Sequence, residues 1–223
     1  MAMVAGTLVE PSGKLIAFMG LPCSGKSTVA KCLAPLMGAT VYHEPAPEVW
    51  PAEMVNDRDV VCATSMTWAR AMRLPQLYLA VADRANGAVA IVDSYVDKLL
   101  LLYIKHPSMG GVLPFEDPYR HVIRQMAELD FEHLPDADIV VFMKVSRRAW
   151  SAFQKGQGRP AFDARFQESF DVQKTMLAGT RYWADRVGAS LIVHEQEDVS
   201  SPSMAAEAIL KVLTRSEGAV DDA

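Results

Sequence analysis

Five short apolar runs punctuate the chain: Leu15 to Met19, Ala39 to His43, Val89 to Val92, Ile139 to Met143 and Ser190 to Val193. With little polar alternation and bounded by glycine, aspartate or loop residues, they predict strands covered on both faces. Apolar positions at helical spacing lie between them. Val29, Leu33 and Leu36/Met37 line one helix face, and Gly38 supplies its stop. Residues 64–84 predict a helix interrupted by Pro75, a long, partly helical stretch runs to about Leu134, and Met204 to Leu213 closes the chain as a helix. Strands alternating with helices imply an α/β fold in three layers, a parallel five-stranded sheet with helices on both faces. No internal repeat, low-complexity tract or linker divides it. The expectation is a loose leader over residues 1–13, one domain over 14–214 and a flexible acidic tail over 215–223. The glycine-rich basic run Lys155-Gly156-Gln157-Gly158-Arg159-Pro160 breaks the pattern and suits a short lid over about 153–166.

Composition narrows the class. With 50% hydrophobic and 22% charged residues in 223, the chain can build a core and is not largely disordered. A net charge of −5 speaks against a protein that grips nucleic acid mainly by its backbone. Cys23, Cys32 and Cys62 are too few and too scattered for a disulfide framework or a zinc site, which points to a reduced, cytoplasmic setting. The longest apolar run, Leu99 to Ile104, is far short of the roughly 20 residues that cross a bilayer, so no membrane partner is expected. The first fourteen residues lack the pattern of a secretion signal.

The strongest chemical signal is Gly20-Leu21-Pro22-Cys23-Ser24-Gly25-Lys26-Ser27, which meets G-x-x-x-x-G-K-[ST] at every fixed position. From the composition of the chain, the pattern would arise by accident in roughly three of a thousand such sequences. It also lies between an apolar strand and an amphipathic helix. Glycines allow backbone N–H groups to curl around phosphates, and the following helix aims its positive end at them. Gly20, Cys23, Ser24, Gly25, Lys26, Ser27 and Thr28 are therefore candidate nucleotide contacts. Lys26 is suited to the β- and γ-phosphates of ATP, and the Ser27 hydroxyl to Mg²⁺.

Further motifs follow in order: His43-Glu44-Pro45 after the second strand, Leu77-Tyr78-Leu79-Ala80-Val81-Ala82-Asp83-Arg84, Val92-Asp93-Ser94-Tyr95-Val96-Asp97 after the third, Phe142-Met143-Lys144-Val145, and Asp163-Ala164-Arg165-Phe166. Together they resemble the thymidylate kinase and deoxynucleoside kinase group. Glu44-Pro45 followed by Trp50 looks more like the deoxynucleoside kinases. The resemblance implies a P-loop kinase fold with ATP and Mg²⁺ as cofactors, a nucleotide donor and a nucleoside-like acceptor as partners, and a homodimer. It implies Glu44 as catalytic base and Asp93 as magnesium ligand or orienter of the attacking group, each at the carboxyl end of a strand. Arg159 of the lid is the first choice for charge neutralisation over the γ-phosphate. Trp50, Arg73, Gln76, Arg84 and Tyr95 are candidate acceptor contacts.

The departures matter as much. Where thymidylate kinases clamp the acceptor 5′-phosphate with arginines, this chain has His43 and Ser94, and neither replaces a bidentate guanidinium. Ala80 stands about where those enzymes stack an aromatic ring, which implies room for a larger acceptor. Three acceptors remain: a free deoxynucleoside, a nucleoside monophosphate held by other arginines, and a hydroxymethylated pyrimidine, free or within DNA. A hydroxyl acceptor ranks above a phosphate. An acceptor-free P-loop ATPase and a binding module are the rivals from other classes. Three of the negative charges belong to Glu217, Asp221 and Asp222. From Arg147 to Arg165 five basic residues face one acid, Asp163, so brief contact with DNA near the lid stays compatible with the charge balance.

Overall fold

The computed structural model describes residues 13–46, 49–51, 62–106, 113, 115–156, 166–198 and 201–218. Its strands are β1 (Lys14–Gly20), β2 (Thr40–Tyr42), β3 (Val89–Val92), β4 (Ile139–Val145) and β5 (Ser190–Gln196). They form one sheet in the order β2-β3-β1-β4-β5, and every pairing is parallel. The helices are α1 (Lys26–Met37), α2 (Cys62–Ala85), α3 (Val96–Tyr103), α4 (Arg120–His133), α5 (Arg147–Gly156), α6 (Phe166–Val187) and α7 (Pro202–Gly218). The five strands and the two-sided covering match the reading of the apolar runs. The helix α7 continues to Gly218, so the first four residues expected in the tail are helical.

β1 lies at the centre, and its alternation sorts the core. Leu15, Ala17 and Met19 face one layer with Tyr95, Leu99 and Trp183, contributed by the segments around α3 and α6. Ile16 and Phe18 face the other with Val29 and Leu33 of α1 and Ile209 and Leu213 of α7. A smaller cluster of Ala63, Ile104, Leu113 and Ile123 fills the space beside α2, α3 and α4. Because all strands run the same way, their carboxyl ends share one rim, which is where open α/β sheets bind ligands.

The long helix α2 carries Pro75 inside it. Its C-terminal half is fastened to the sheet: the Tyr42 hydroxyl donates to Asp83 Oδ2 at 2.8 Å, and Arg84 Nη1 donates to the Asp136 carbonyl at 2.8 Å. Its N-terminal half reaches towards the carboxyl rim instead. No helix among the described residues is long and apolar enough to cross a membrane.

Candidate active site

The loop between β1 and α1 adopts its shape because three residues hold positive φ: Gly20 (138°), Cys23 (59°) and Gly25 (85°). At Gly20 a Cβ would lie 2.7 Å from the Met143 carbonyl, so only glycine fits there. The Val29 amide donates to the Gly25 carbonyl at 2.9 Å and opens α1 directly behind the loop. The Ser24 hydroxyl is buried with no hydrogen-bond partner among the described residues. An orphaned hydroxyl, loop residues with positive φ and a helix N-terminus together suit a bound phosphate chain.

Lys26 folds back over the loop, donating to the Gly20 carbonyl at 3.1 Å and the Leu21 carbonyl at 2.8 Å. Burial holds its pKa below the ordinary lysine value, against the opposing pull of Glu44 and Asp93. The charges of these two carboxylates therefore reach the lysine, and the structure gathers all three residues at the rim. Ser27 and Thr28 open α1, with Ser27 half-buried and Thr28 exposed.

Asp93 ends β3 and is only 2% exposed. One oxygen, Oδ1, accepts from the Glu44 backbone N–H at 2.7 Å, and Oδ2 lies 2.8 Å from His43 Nδ1. Both oxygens are thus engaged in fixing the loop that carries Glu44. Among the described residues no three His, Cys, Asp or Glu side chains converge as a metal site. A divalent ion here would draw on the two residues expected for it, the Ser27 hydroxyl and, through water, Asp93, with phosphate oxygens and water completing its shell.

Glu44 is 38% exposed, and its Oε1 lies 3.4 Å from Arg73 Nη1. Arg73 is held more tightly by Asp97, from Nε to Oδ2 at 2.6 Å and from Nη2 to Oδ1 at 2.8 Å. Burial alone would lower the arginine pKa, yet hydrogen bonding and the charges of Asp97 and Glu44 leave it raised. One turn earlier Arg70 makes the same two-point pair with Asp130, both contacts at 2.6 Å. Trp50 donates from Nε1 to the Pro45 carbonyl at 3.2 Å, and its ring meets Trp68 edge-on, centroids 5.3 Å apart. Gln76 is half-buried on the same helix as Arg73.

Three expectations fall away. Arg84 lies at the opposite rim: with Asp136, Asp138 and Gly188 it lines a cleft of about 390 Å³. There Asp138 Oδ2 also accepts the Leu15 amide at the start of β1, at 2.7 Å. Tyr95 is 2% exposed. Its hydroxyl donates to the Pro135 carbonyl at 2.7 Å and accepts from the Ala137 amide at 3.0 Å, so it fastens the approach to β4 instead of meeting an acceptor. Ala80 is fully buried and belongs to the core cluster, away from any exposed surface. Arg159 and most of the expected lid lie outside the described residues, Phe153 to Gly156 belonging to α5 and Phe166 opening α6. Asp97, Trp68 and Asp130 were missed as functional neighbours. Asp97 stood in the motif quoted after the third strand without a role being given to it, and nothing local marked Trp68 or Asp130.

Comparison with known proteins agrees with this fold. The model of an AAA domain matches residues 15–107. No curated protein matches the chain. Among solved structures, deoxyadenosine kinase from M. mycoides with bound dATP is similar at TM-score 0.62 and 18% identity, covering 90% of this chain and 99% of that one. Thymidylate kinase from Ehrlichia chaffeensis is similar at TM-score 0.53 and 17% identity, with coverages of 91% and 100%. Thymidylate kinase from Candida albicans follows at 0.52 and 14%, with 92% and 93%. The chain is a P-loop protein with the fold of the deoxynucleoside and thymidylate kinases.

Proposed function

We propose that this protein transfers the terminal phosphoryl group of ATP to a hydroxyl, not to a phosphate monoester, of a nucleoside-type acceptor. The acceptor oxygen attacks the γ-phosphorus, the bond from that phosphorus to the β,γ-bridging oxygen breaks, and ADP leaves. Glu44 takes the acceptor proton. Lys26 exchanges the Gly20 and Leu21 carbonyls for phosphate oxygens and follows the charge that builds on the leaving group. Ser27, with Asp93 acting through water, would hold a magnesium ion, which when bound would neutralise phosphate charge. Asp93 holds Glu44 in place through the backbone N–H and orients the loop.

One observation carries the choice of acceptor. Among the described residues, the two arginines of α2 nearest Glu44 are already matched by carboxylates: Arg73 by Asp97 and Arg70 by Asp130. Arg84 is remote. A dianionic acceptor would have to displace a buried two-point ion pair, whereas a neutral one leaves it intact. The edge-on Trp50–Trp68 pair beside Glu44 offers an aromatic wall for a planar base. A hydroxymethylated pyrimidine, as nucleoside or within DNA, belongs to the same hydroxyl class.

The test is incubation of the protein with Mg²⁺, γ-labelled ATP and a panel of deoxynucleosides, nucleoside monophosphates and DNA containing hydroxymethylated pyrimidine. Label in deoxynucleosides or hydroxymethylated DNA supports the hydroxyl reading. Label confined to monophosphates, giving diphosphates, overturns it in favour of a thymidylate-like kinase. ADP formed equally without any acceptor would mark an ATPase instead.

A further inference from the structure

The first three carbonyls of the phosphate loop, those of Gly20, Leu21 and Pro22, each have a side-chain donor. Gly20 and Leu21 are served by Lys26. The Pro22 carbonyl accepts from the indole Nε1 of Trp150 at 2.7 Å, a contact spanning 128 residues of sequence. Proline has no N–H of its own, so its carbonyl is the handle by which the tip of the loop can be held. Lys26 must leave its two carbonyls to reach a triphosphate.

Trp150 is a built position. It is 2% exposed and packs against Phe170, centroids 5.9 Å apart, with the Arg147 guanidinium over the same phenyl ring. The start of its helix α5 is locked from three sides. The Gln173 side-chain amide accepts from the Val145 amide at 2.8 Å and donates to the Val145 carbonyl at 3.0 Å. The Ser146 amide donates to the Gln196 carbonyl at 2.8 Å. The Ser146 hydroxyl donates to the Glu197 carbonyl at 2.6 Å and accepts from the Ala149 amide at 3.1 Å, capping the helix. β4, β5 and α6 thus converge on the orientation of one indole, and that indole ends on the phosphate loop.

We infer that Trp150 is a positioning residue for the nucleotide: its N–H holds the loop in its anion-binding shape through the Pro22 carbonyl. The inference rests on the loop binding ATP, as proposed above. Its effect is exerted on the donor and not on the acceptor or the chemical step. Removing the donor leaves the carbonyl without that partner and lets the loop tip relax, at a cost corresponding to about tenfold in affinity.

The experiment compares wild type with Trp150→Phe, which keeps an aromatic ring but loses the donor. ATP affinity is measured by calorimetry without acceptor, and kcat and both KM values are measured with it. Expected are an ATP Kd and KM raised about tenfold, with kcat and acceptor KM within about twofold. In ¹⁵N spectra, the indole resonance absent from the variant should shift on adding ATP to wild type. Replacement of Trp150 by benzothienylalanine, which has the shape of tryptophan but sulfur in place of the N–H, should reproduce the weakened binding without loss of fold. Wild-type ATP affinity in the benzothienyl protein, or an unmoved indole resonance, overturns the inference even if the kinase reading stands. Failure of wild type itself to bind ATP removes both together.

Discussion

Arg73 of α2 and Asp97 of α3 meet in a parallel two-point ion pair, 2.6 Å and 2.8 Å, within 3.4 Å of the carboxylate of Glu44. The pair cancels the charge that a phosphate would seek. Asp97→Asn should release that charge while leaving a largely buried guanidinium without its anion. Stability in urea should fall by about 3 kcal/mol. In the folded protein a nucleoside monophosphate should bind at least tenfold more tightly than to wild type, measured by calorimetry.

Glu44 is the group assigned to take the acceptor proton, and among the described residues its side chain makes only a long contact with Arg73. Glu44→Gln should lower kcat by about 10² to 10⁴ while acceptor KM moves less than about threefold. Steady-state kinetics with the accepted nucleoside checks it. A loss under tenfold would remove Glu44 as the base.

Gly20 combines a φ of 138° with backbone 2.7 Å from where a Cβ would stand, whereas Gly38, at φ 62°, has open space around it. Gly20→Ala should cost about 2–3 kcal/mol and weaken ATP binding more than tenfold, because the end of β1 must shift away from Met143 of β4 and carry the loop with it. Gly38→Ala should cost only about 1 kcal/mol and leave ATP binding unchanged. Denaturant curves and calorimetry on the two variants separate a general glycine effect from one at the phosphate loop.

His194 lies on β5 opposite Met143, and burial lowers its pKa below the ordinary value of 6.5. The unfolded chain therefore binds the proton more readily than the folded one. Stability should decline as pH falls from 6.5 towards the lowered folded value, and the slope vanishes once both states are protonated. His194→Gln should flatten that part of the profile, read from urea midpoints across the range. An unchanged slope would assign the acid sensitivity to other groups.

The strands were legible because both faces of the sheet are covered, so that each announced itself as a short apolar run. The phosphate loop was legible because its backbone demands glycine at fixed spacing. The acceptor side was not, and α2 shows why. Its apolar spacing reveals a helix but not which end lies over the site, and Arg73 and Arg84 sit eleven positions apart, about 16 Å along the axis. Matching a short motif to Arg84 selected the wrong rim. Tyr95 failed differently: a tyrosine after a strand-ending aspartate suggests a ligand, but only the fold shows that Pro135 and Ala137 already satisfy its hydroxyl.

Pro75 gives α2 a further property. The proline has no N–H to return to the Ala71 carbonyl, so the hydrogen-bonded ladder is interrupted between the turn bearing Arg73 and the turns bearing Asp83 and Arg84. One half of the helix is bolted to the strands by Tyr42 and Asp136. The other is tied to α3 and α4 by the pairs of Arg73 and Arg70. An unbroken helix would act as a lever, carrying every displacement at the acceptor end down to the far side of the sheet. With the ladder interrupted, each half is placed by its own contacts, the upper by Arg70 and Arg73 and the lower by Asp83 and Arg84, instead of by one continuous rod.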